Sequence, residues 1–252
     1  MTTIYRTRTV ASPFHPWSTL YVPDGATPAP GVVLLHGSEG ACAGWSDCTA
    51  ALFTQFGFVC APFGYSIGSD PWQSGRIVDV ELSETAKTFD ILRAHPAVAG
   101  RKVALLGFSR GAEHALLLAS LMAQSGLPGM PDAIVAHAPS DTIVSGFRGH
   151  DDEDRDEHDP SAHAWNWRGS SSELAPGTRI EIERYPGPVF LSHGISDRLW
   201  SADKTRRLEQ RLRAVGRNPV VYLYEGDHGI APADQDAWLD RVVTFLRRTI
   251  GS

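Results

Sequence analysis

A chain of 252 residues with 42% hydrophobic and 21% charged content has ordinary globular statistics, and the length suits one α/β domain over residues 1–252. No window holds the roughly 18 consecutive apolar residues of a membrane span, and the opening MTTIYRTRTVASPFHPW lacks the apolar run of a secretory signal, so a cytoplasmic protein without membrane contact is expected. The formal charge of −6 resides in residues 150–159, HDDEDRDEHD, where seven carboxylates face Arg155; neither this run nor the balanced remainder is the basic footprint of a nucleic-acid binder.

Short apolar runs bounded by Gly, Pro or Asp recur, each followed by a segment of helical period, which is the pattern of βαβ units on a mostly parallel sheet. In chain order, IYRTRTV and STLYVP before residue 30 predict one or two antiparallel edge strands. Strands are then expected at GVVLLHG, FVCAPF, KVALLGF, DAIVAHA, PVFLSHG and PVVYLYE. Their near-continuous apolar content suits strands covered by helices on both faces. Helices are expected near 46–56, 78–94, 111–124, 202–215 and 232–248, the fourth opening at Ser201 and closing at Gly216. Residues 140–187 break this rhythm with Ser, Gly, Pro, charge and tryptophan, and read as an insertion capping the active-site edge, its acidic half a solvated loop. Cys42, Cys48 and Cys60 have neither disulfide-framework nor metal-ligand spacing.

Two Gly-x-Ser-x-Gly segments compete for the role of nucleophile: Gly64–Gly68 around Ser66, and Gly107–Gly111 around Ser109. A nucleophile elbow needs a strand before it and a helix directly after it, with glycines that let backbones approach closely. Ser66 is followed by IGSDPWQSG, whose Gly68, Pro71 and Gly75 prevent an immediate helix. Ser109 is followed by RGAEHALLLASLMAQ, helix-favouring for more than three turns, with Glu113 near the positive end of the dipole. Ser109 is the predicted nucleophile.

A serine hydroxyl needs a histidine to take its proton and a carboxylate to orient that imidazole. Asp197, in the loop past VFLSHG, is preferred over Asp203 in the next helix and over Asp227 beside the histidine candidate. His228, in the turn after PVVYLYE, is the expected base, whereas His193 reads as structural. The oxyanion of the intermediate calls for donors, expected from the backbone N–H of Arg110 and of Ser38, with Glu39 as the fallback. No metal or organic cofactor is required.

These motifs in order make the chain similar to α/β-hydrolases over roughly residues 30–250. Within that superfamily GFSRGAEHALLLAS, AHPAVAG, WNWRG and SDRLW resemble the catalytic domain shared by acyl-CoA thioesterases and bile acid-CoA:amino acid acyltransferases; dienelactone hydrolases and prolyl-oligopeptidase-type domains are more distant likenesses. The resemblance implies acyl transfer through Ser109 with Asp197 and His228 as partners, acting on a small acyl ester or thioester. His36-Gly37-Ser38-Glu39-Gly40 stands where the thioesterases carry a glycine-rich loop, which favours a carboxylic ester. An acyltransferase, a peptidase or a non-catalytic ligand receptor of the same fold are the alternatives. A pocket for an apolar or aromatic group is expected from Glu39, Trp45, Phe63, Tyr65, Trp72, Phe147, Trp165, Trp167 and Trp200.

Overall fold

A computed structural model describes residues 3–66, 75–148 and 161–251. Among the described residues ten strands are formed: β1 (Thr7–Ala11), β2 (Thr19–Pro23), β3 (Gly31–Leu35), β4 (Val59–Phe63), β5 (Val80–Glu81), β6 (Val103–Phe108), β7 (Ala133–His137), β8 (Trp165–Asn166), β9 (Val189–Gly194) and β10 (Val220–Tyr224). Five α-helices accompany them among the described residues: α1 (Trp45–Thr54), α2 (Leu82–Ala94), α3 (Arg110–Gln124), α4 (Asp203–Ala214) and α5 (Gln235–Thr249). Eight strands form one sheet in the order β1-β2-β4-β3-β6-β7-β9-β10. The first two are joined antiparallel, as expected for the N-terminal segment, and from β4 to β10 every neighbour is parallel.

The period of two along each strand sorts side chains between two cores. Val33, Leu35, Val103 and Leu105 face a layer completed by Leu82, Phe89, Leu116, Leu208 and Leu212 from α2, α3 and α4. Val32, Leu34, Ala104 and Leu106 face the opposite layer, with Phe53 of α1 and Trp238, Val242 and Leu246 of α5. Burial on both faces is why the central strands are apolar at every position rather than at alternate ones.

Chain order departs from sheet order at β3, which has β4 on one side and β6 on the other. The crevice at such a switch point, outside the carboxyl ends of the strands, is where open α/β sheets bind ligands. Residues 36–40 and Ser109 lie at those two strand ends.

Two elements differ from the sequence-based expectation. The helix predicted from residue 78 starts at Leu82, because Asp79 has φ of 53° and residues 80–81 pair with Trp165–Asn166 instead. Glu81 then caps the helix, its carboxylate accepting from the Ser83 N–H at 3.0 Å and also from the Arg168 and Gly169 N–H groups. The last helix opens with a 3-10 turn at Pro232–Asp234 before α5 proper. The fourth behaves as expected within one residue: the Ser201 hydroxyl accepts from Asp203 N–H, and Gly216, at φ of 77°, ends a Schellman turn in which Gly216 N–H bonds to Arg213 O and Arg217 N–H to Leu212 O.

The described part of residues 140–187 is not a solvated excursion. Ala164, Trp165, Ile180, Ile182 and Tyr185 are buried in the α3 side of the core, and isolated bridges join Phe147 to Ile77 and Thr142 to Arg179. The acidic run 150–159 lies outside the described residues. No helix among the described residues is long and apolar enough to cross a membrane.

Candidate active site

The elbow at Ser109 is built by close packing. Ser109 has φ of 51° and ψ of −119°, a conformation a side chain rarely adopts, and its N–H is tied to His137 O at 3.0 Å. A Cβ on Gly107 would collide with the Gly111 carbonyl, and one on Gly111 would lie 2.5 Å from His36 O, so both glycines are required by backbone approach. Strand β6 thus turns straight into α3, leaving the hydroxyl at the helix N-terminus.

The structure brings Ser109, His228 and Asp197 together. The Ser109 hydroxyl lies 2.8 Å from His228 Nε2, and His228 Nδ1 lies 2.7 Å from Asp197 Oδ2. A carboxylate only accepts, so Nδ1 carries the hydrogen and Nε2 is free to accept from the serine. The Asp197 side chain is fully buried. Its Oδ1 accepts the N–H groups of Leu199 and Trp200 at 2.8 and 2.9 Å, and Oδ2 accepts from His193 Nε2 at 2.9 Å as well as from His228. Burial by itself would push this carboxyl up; the hydrogen bonds from His193, His228 and the Trp200 N–H outweigh it and hold the group well below the usual carboxylate range.

The histidine loop is braced from beneath. The Trp238 Nε1–H donates to Ser192 Oγ at 3.1 Å, Ser192 Oγ lies 2.8 Å from His137 Nδ1, and His137 Nε2 reaches the His228 carbonyl at 3.3 Å. Burial, together with the neighbouring His193 and His228, lowers His137 to about 3, so it stays a neutral support. Asp227 ties the two loops together: its carboxylate accepts from the N–H of His228 at 2.8 Å and of Arg198 at 3.0 Å, and pairs with the Arg198 guanidinium.

The two backbone donors expected for an oxyanion flank the serine. Arg110 N–H is the first of α3, and neither it nor Ser38 N–H bonds to an acceptor among the described residues. Gly37 lies next to Ser109, since a Cβ there would come 3.3 Å from the serine Cβ. Glu39 is exposed and holds this loop by accepting from Gly37 N–H at 2.8 Å.

Ser66 is 1% exposed and its hydroxyl lies 3.3 Å from His36 Nε2. The other nitrogen of that imidazole, Nδ1, faces the Gly37 carbonyl at 2.7 Å rather than a carboxylate. Among the described residues this second serine–histidine pair has no acid behind it, and both side chains are buried.

The aromatic residues expected to line one pocket go to different places. Trp200 meets His228 edge-on at 5.7 Å. Trp45 meets Phe108 edge-on, ring centroids 3.8 Å apart, on the α1 side of the sheet, whereas Tyr65, Phe63, Phe147 and Trp167 join the α3 side. Tyr65 packs on His36 and donates its hydroxyl to His36 O at 2.8 Å. Trp165 is wholly buried, so it has no face for a substrate: its Nε1–H donates to Glu113 Oε1 at 2.8 Å under the Arg110 guanidinium. Trp72 lies outside the described residues. Among the described residues no group of His, Cys, Asp and Glu is arranged to hold a metal ion.

Sequence reasoning missed the Arg110–Glu113 pair. Arg110 Nη1 lies 2.9 Å from Glu113 Oε2 with both side chains at most 5% exposed, and the pair also holds Ser145 O and Val144 N–H. Glu113, in the first turn of α3, is therefore buried and clamps that helix to the segment after β7. The i, i+3 spacing of Arg and Glu was visible; burial on the inner helix face was not.

A parallel sheet wound this way, with a strained serine between strand and helix and a histidine and aspartate delivered from the last two strand ends, defines an α/β hydrolase fold. The profile described as BAAT / Acyl-CoA thioester hydrolase C terminal matches residues 78–233, and the chain belongs to that family. Acyl-coenzyme A thioesterase 6 of Mus musculus is 25% identical over 224 residues, covering 85% of this chain and 52% of its own length. The chain thus spans about half the length of such relatives. Two solved structures share the fold: an α/β hydrolase enzyme from a Medee basin deep-sea metagenome library has a TM-score of 0.64 at 16% identity, covering 99% of this chain and 100% of its own. A dienelactone hydrolase-like promiscuous phosphotriesterase from metagenomic libraries has a TM-score of 0.63 at 16% identity, covering 98% and 99%.

Proposed function

We propose that the chain is a serine hydrolase that cleaves a carboxylic ester or thioester of a small acyl compound through an acyl-enzyme on Ser109. The observation that carries this reading is the unbroken run of hydrogen bonds from Ser109 through His228 to Asp197. Ser109 Oγ attacks the acyl carbon while His228 Nε2 takes its proton, and Asp197 stabilises the imidazolium without accepting that proton. The N–H groups of Ser38 and Arg110 receive the developing oxyanion. Collapse of the intermediate breaks the bond to the alcohol or thiol, which leaves with the proton from Nε2. A water then gives its proton to Nε2, attacks the acyl-serine, and releases the acid with Ser109 restored. The thioesterase relatives favour a thioester leaving group, and the ordinary-esterase look of residues 36–40 favours an ester.

We read residues 140–187 as an insertion that covers one side of this site within a single domain, held to the nucleophile helix through Arg110 and Glu113. A fluorophosphonate probe should label Ser109, and Ser109→Ala should abolish turnover of a panel of p-nitrophenyl esters, acyl thioesters and anilides while the fold survives. Undiminished hydrolysis by that variant would overturn the assignment. The panel also separates ester, thioester and amide as the scissile bond, and an added amine that competes with water for the acyl group would mark a transferase.

A further inference from the structure

His193 stands near the end of β9, fully buried, with both ring nitrogens occupied. Its Nε2 lies 2.9 Å from Asp197 Oδ2 and 2.8 Å from the Trp200 carbonyl oxygen. Both are pure acceptors, so Nε2 carries the hydrogen and Nδ1 is the bare nitrogen. Nδ1 lies 2.7 Å from Thr205 Oγ1, itself fully buried near the start of α4, so the threonine hydroxyl donates to it. The hydrogen-bonded run therefore does not stop at the carboxylate. It continues from Asp197 to His193 and on to Thr205.

We infer that His193 is a positioning residue of the reaction, locking Asp197 Oδ2 onto His228 and the Trp200 segment beside it. The inference rests on the proposed roles of Ser109, His228 and Asp197. Oδ2 is shared by two imidazole N–H groups, while Oδ1 is held by two backbone N–H groups, so four hydrogen bonds fix the carboxylate. Without His193, Oδ2 would keep one partner, and the loop 197–200 would lose both its side-chain and its Trp200 carbonyl tie to β9. The Trp200 ring, edge-on to His228, would be released with it. A displacement of about 1 Å at a reacting group is worth on the order of 10²-fold in rate, and that is the effect at stake.

Two polar substitutions separate the roles of the two nitrogens. In His193→Gln the amide NH₂ falls near the position of Nε2 and still reaches Asp197. In His193→Asn it falls near Nδ1, within reach of Thr205 but not of Asp197. Steady-state hydrolysis of a p-nitrophenyl ester should show kcat for His193→Asn reduced on the order of 10²-fold with KM unchanged, and His193→Gln restoring most of it. The downfield proton resonance of His228 Nδ1–H should broaden in His193→Asn and return in His193→Gln. A His193→Asn variant with wild-type kcat and an unaltered resonance would overturn the inference. Should either variant not fold, imidazole nitrogen spectra of the wild-type protein decide instead: His193 must be the Nε2–H tautomer, and the Nδ1–H form refutes the arrangement. Ser109→Ala run alongside separates the two readings, because its retained activity sinks the serine mechanism, whereas an inactive Ser109→Ala with an unaffected His193→Asn sinks only the positioning role.

Discussion

Acidification from pH 7 to pH 5 is expected to destabilise the fold through three buried imidazoles. His36, His114 and His137 are each no more than 1% exposed. Burial lowers His36 to about 4 despite the Gly37 carbonyl; burial and then the neighbouring His193 and His228 lower His137 to about 3. For His114, whose two ring nitrogens have no partner among the described residues, burial followed by the charges of His36 and Arg110 keeps the group well below its ordinary value. In the unfolded chain each would titrate at about 6.5. As pH falls through that value the unfolded chain takes up protons that the native state refuses, so stability falls with pH until the folded values are reached. For one such group the step from pH 7 to pH 5 costs about 2 kcal/mol, and for three on the order of 5 kcal/mol, comparable with the whole ~5–15 kcal/mol stability of a domain. Glu113 acts in the opposite sense, since burial raises its folded pKa and the penalty on its charged form is relieved as pH falls towards the unfolded value. One carboxyl offsets part of three imidazoles. Asp197 and Asp141, with folded values below the ordinary one, lose their contribution only below about pH 4. Urea unfolding followed by tryptophan fluorescence at pH 7, 6 and 5 should show the midpoint moving down, and His114→Leu should remove about a third of that fall. A midpoint that holds level across the range refutes the reasoning.

Asp197→Asn should leave the fold intact and lower kcat by about 10⁴-fold, because the amide no longer fixes the tautomer of His228; a loss of tenfold or less in ester hydrolysis would contradict the geometry. Glu113→Gln keeps acceptors for Val144 and Trp165 but strands the buried Arg110 guanidinium, which should cost about 3–5 kcal/mol in chemical denaturation. Gly111→Ala places a methyl against the His36 and Leu35 carbonyls, neither of which is a flexible side chain, and should cost at least the ~1–3 kcal/mol of core overpacking as read by thermal melting. Trp200→Ala should raise KM or lower kcat for the esters that the wild type hydrolyses fastest while Tm changes little, since the ring meets His228 rather than the core.

Much of the central sheet was legible because burial on both faces leaves a plain signal: six apolar runs between Gly, Pro and Asp, each within two residues of the strand it forms. Ser109 could be separated from Ser66 by local chemistry, since glycines that block one helix and an alanine–leucine run that starts another are both written nearby. His228 and Asp197 were placed by their position after strands. What escaped prediction depends on distant partners. Residues 80–81 form a strand because Trp165–Asn166, 85 residues further on, come alongside, and no local pattern announces that. The aromatic pocket failed to gather for the same reason: Trp165 is drawn into the core by Glu113, and Trp45 falls on the other side of the sheet from Tyr65. His193 at the end of a mostly apolar strand was a visible oddity, and a buried imidazole implies partners without saying which.

The loops that carry Asp197 and His228 share one frame. Ile195 N–H bonds to Tyr224 O, Ser196 N–H to Gly226 O, Asp227 spans both loops, and Gly194 lies so close to the Asp227 carbonyl that any side chain there would strike it. Ser109 belongs to a different piece of the molecule, the β6–α3 corner beside β3. The outer two strands therefore hold Asp197 and His228 together as a single bracket, which meets the β6–α3 corner through the His228–Ser109 contact and through His137. Under the proposed mechanism that bracket would keep carboxylate and imidazole paired even when the contact to the serine hydroxyl parts.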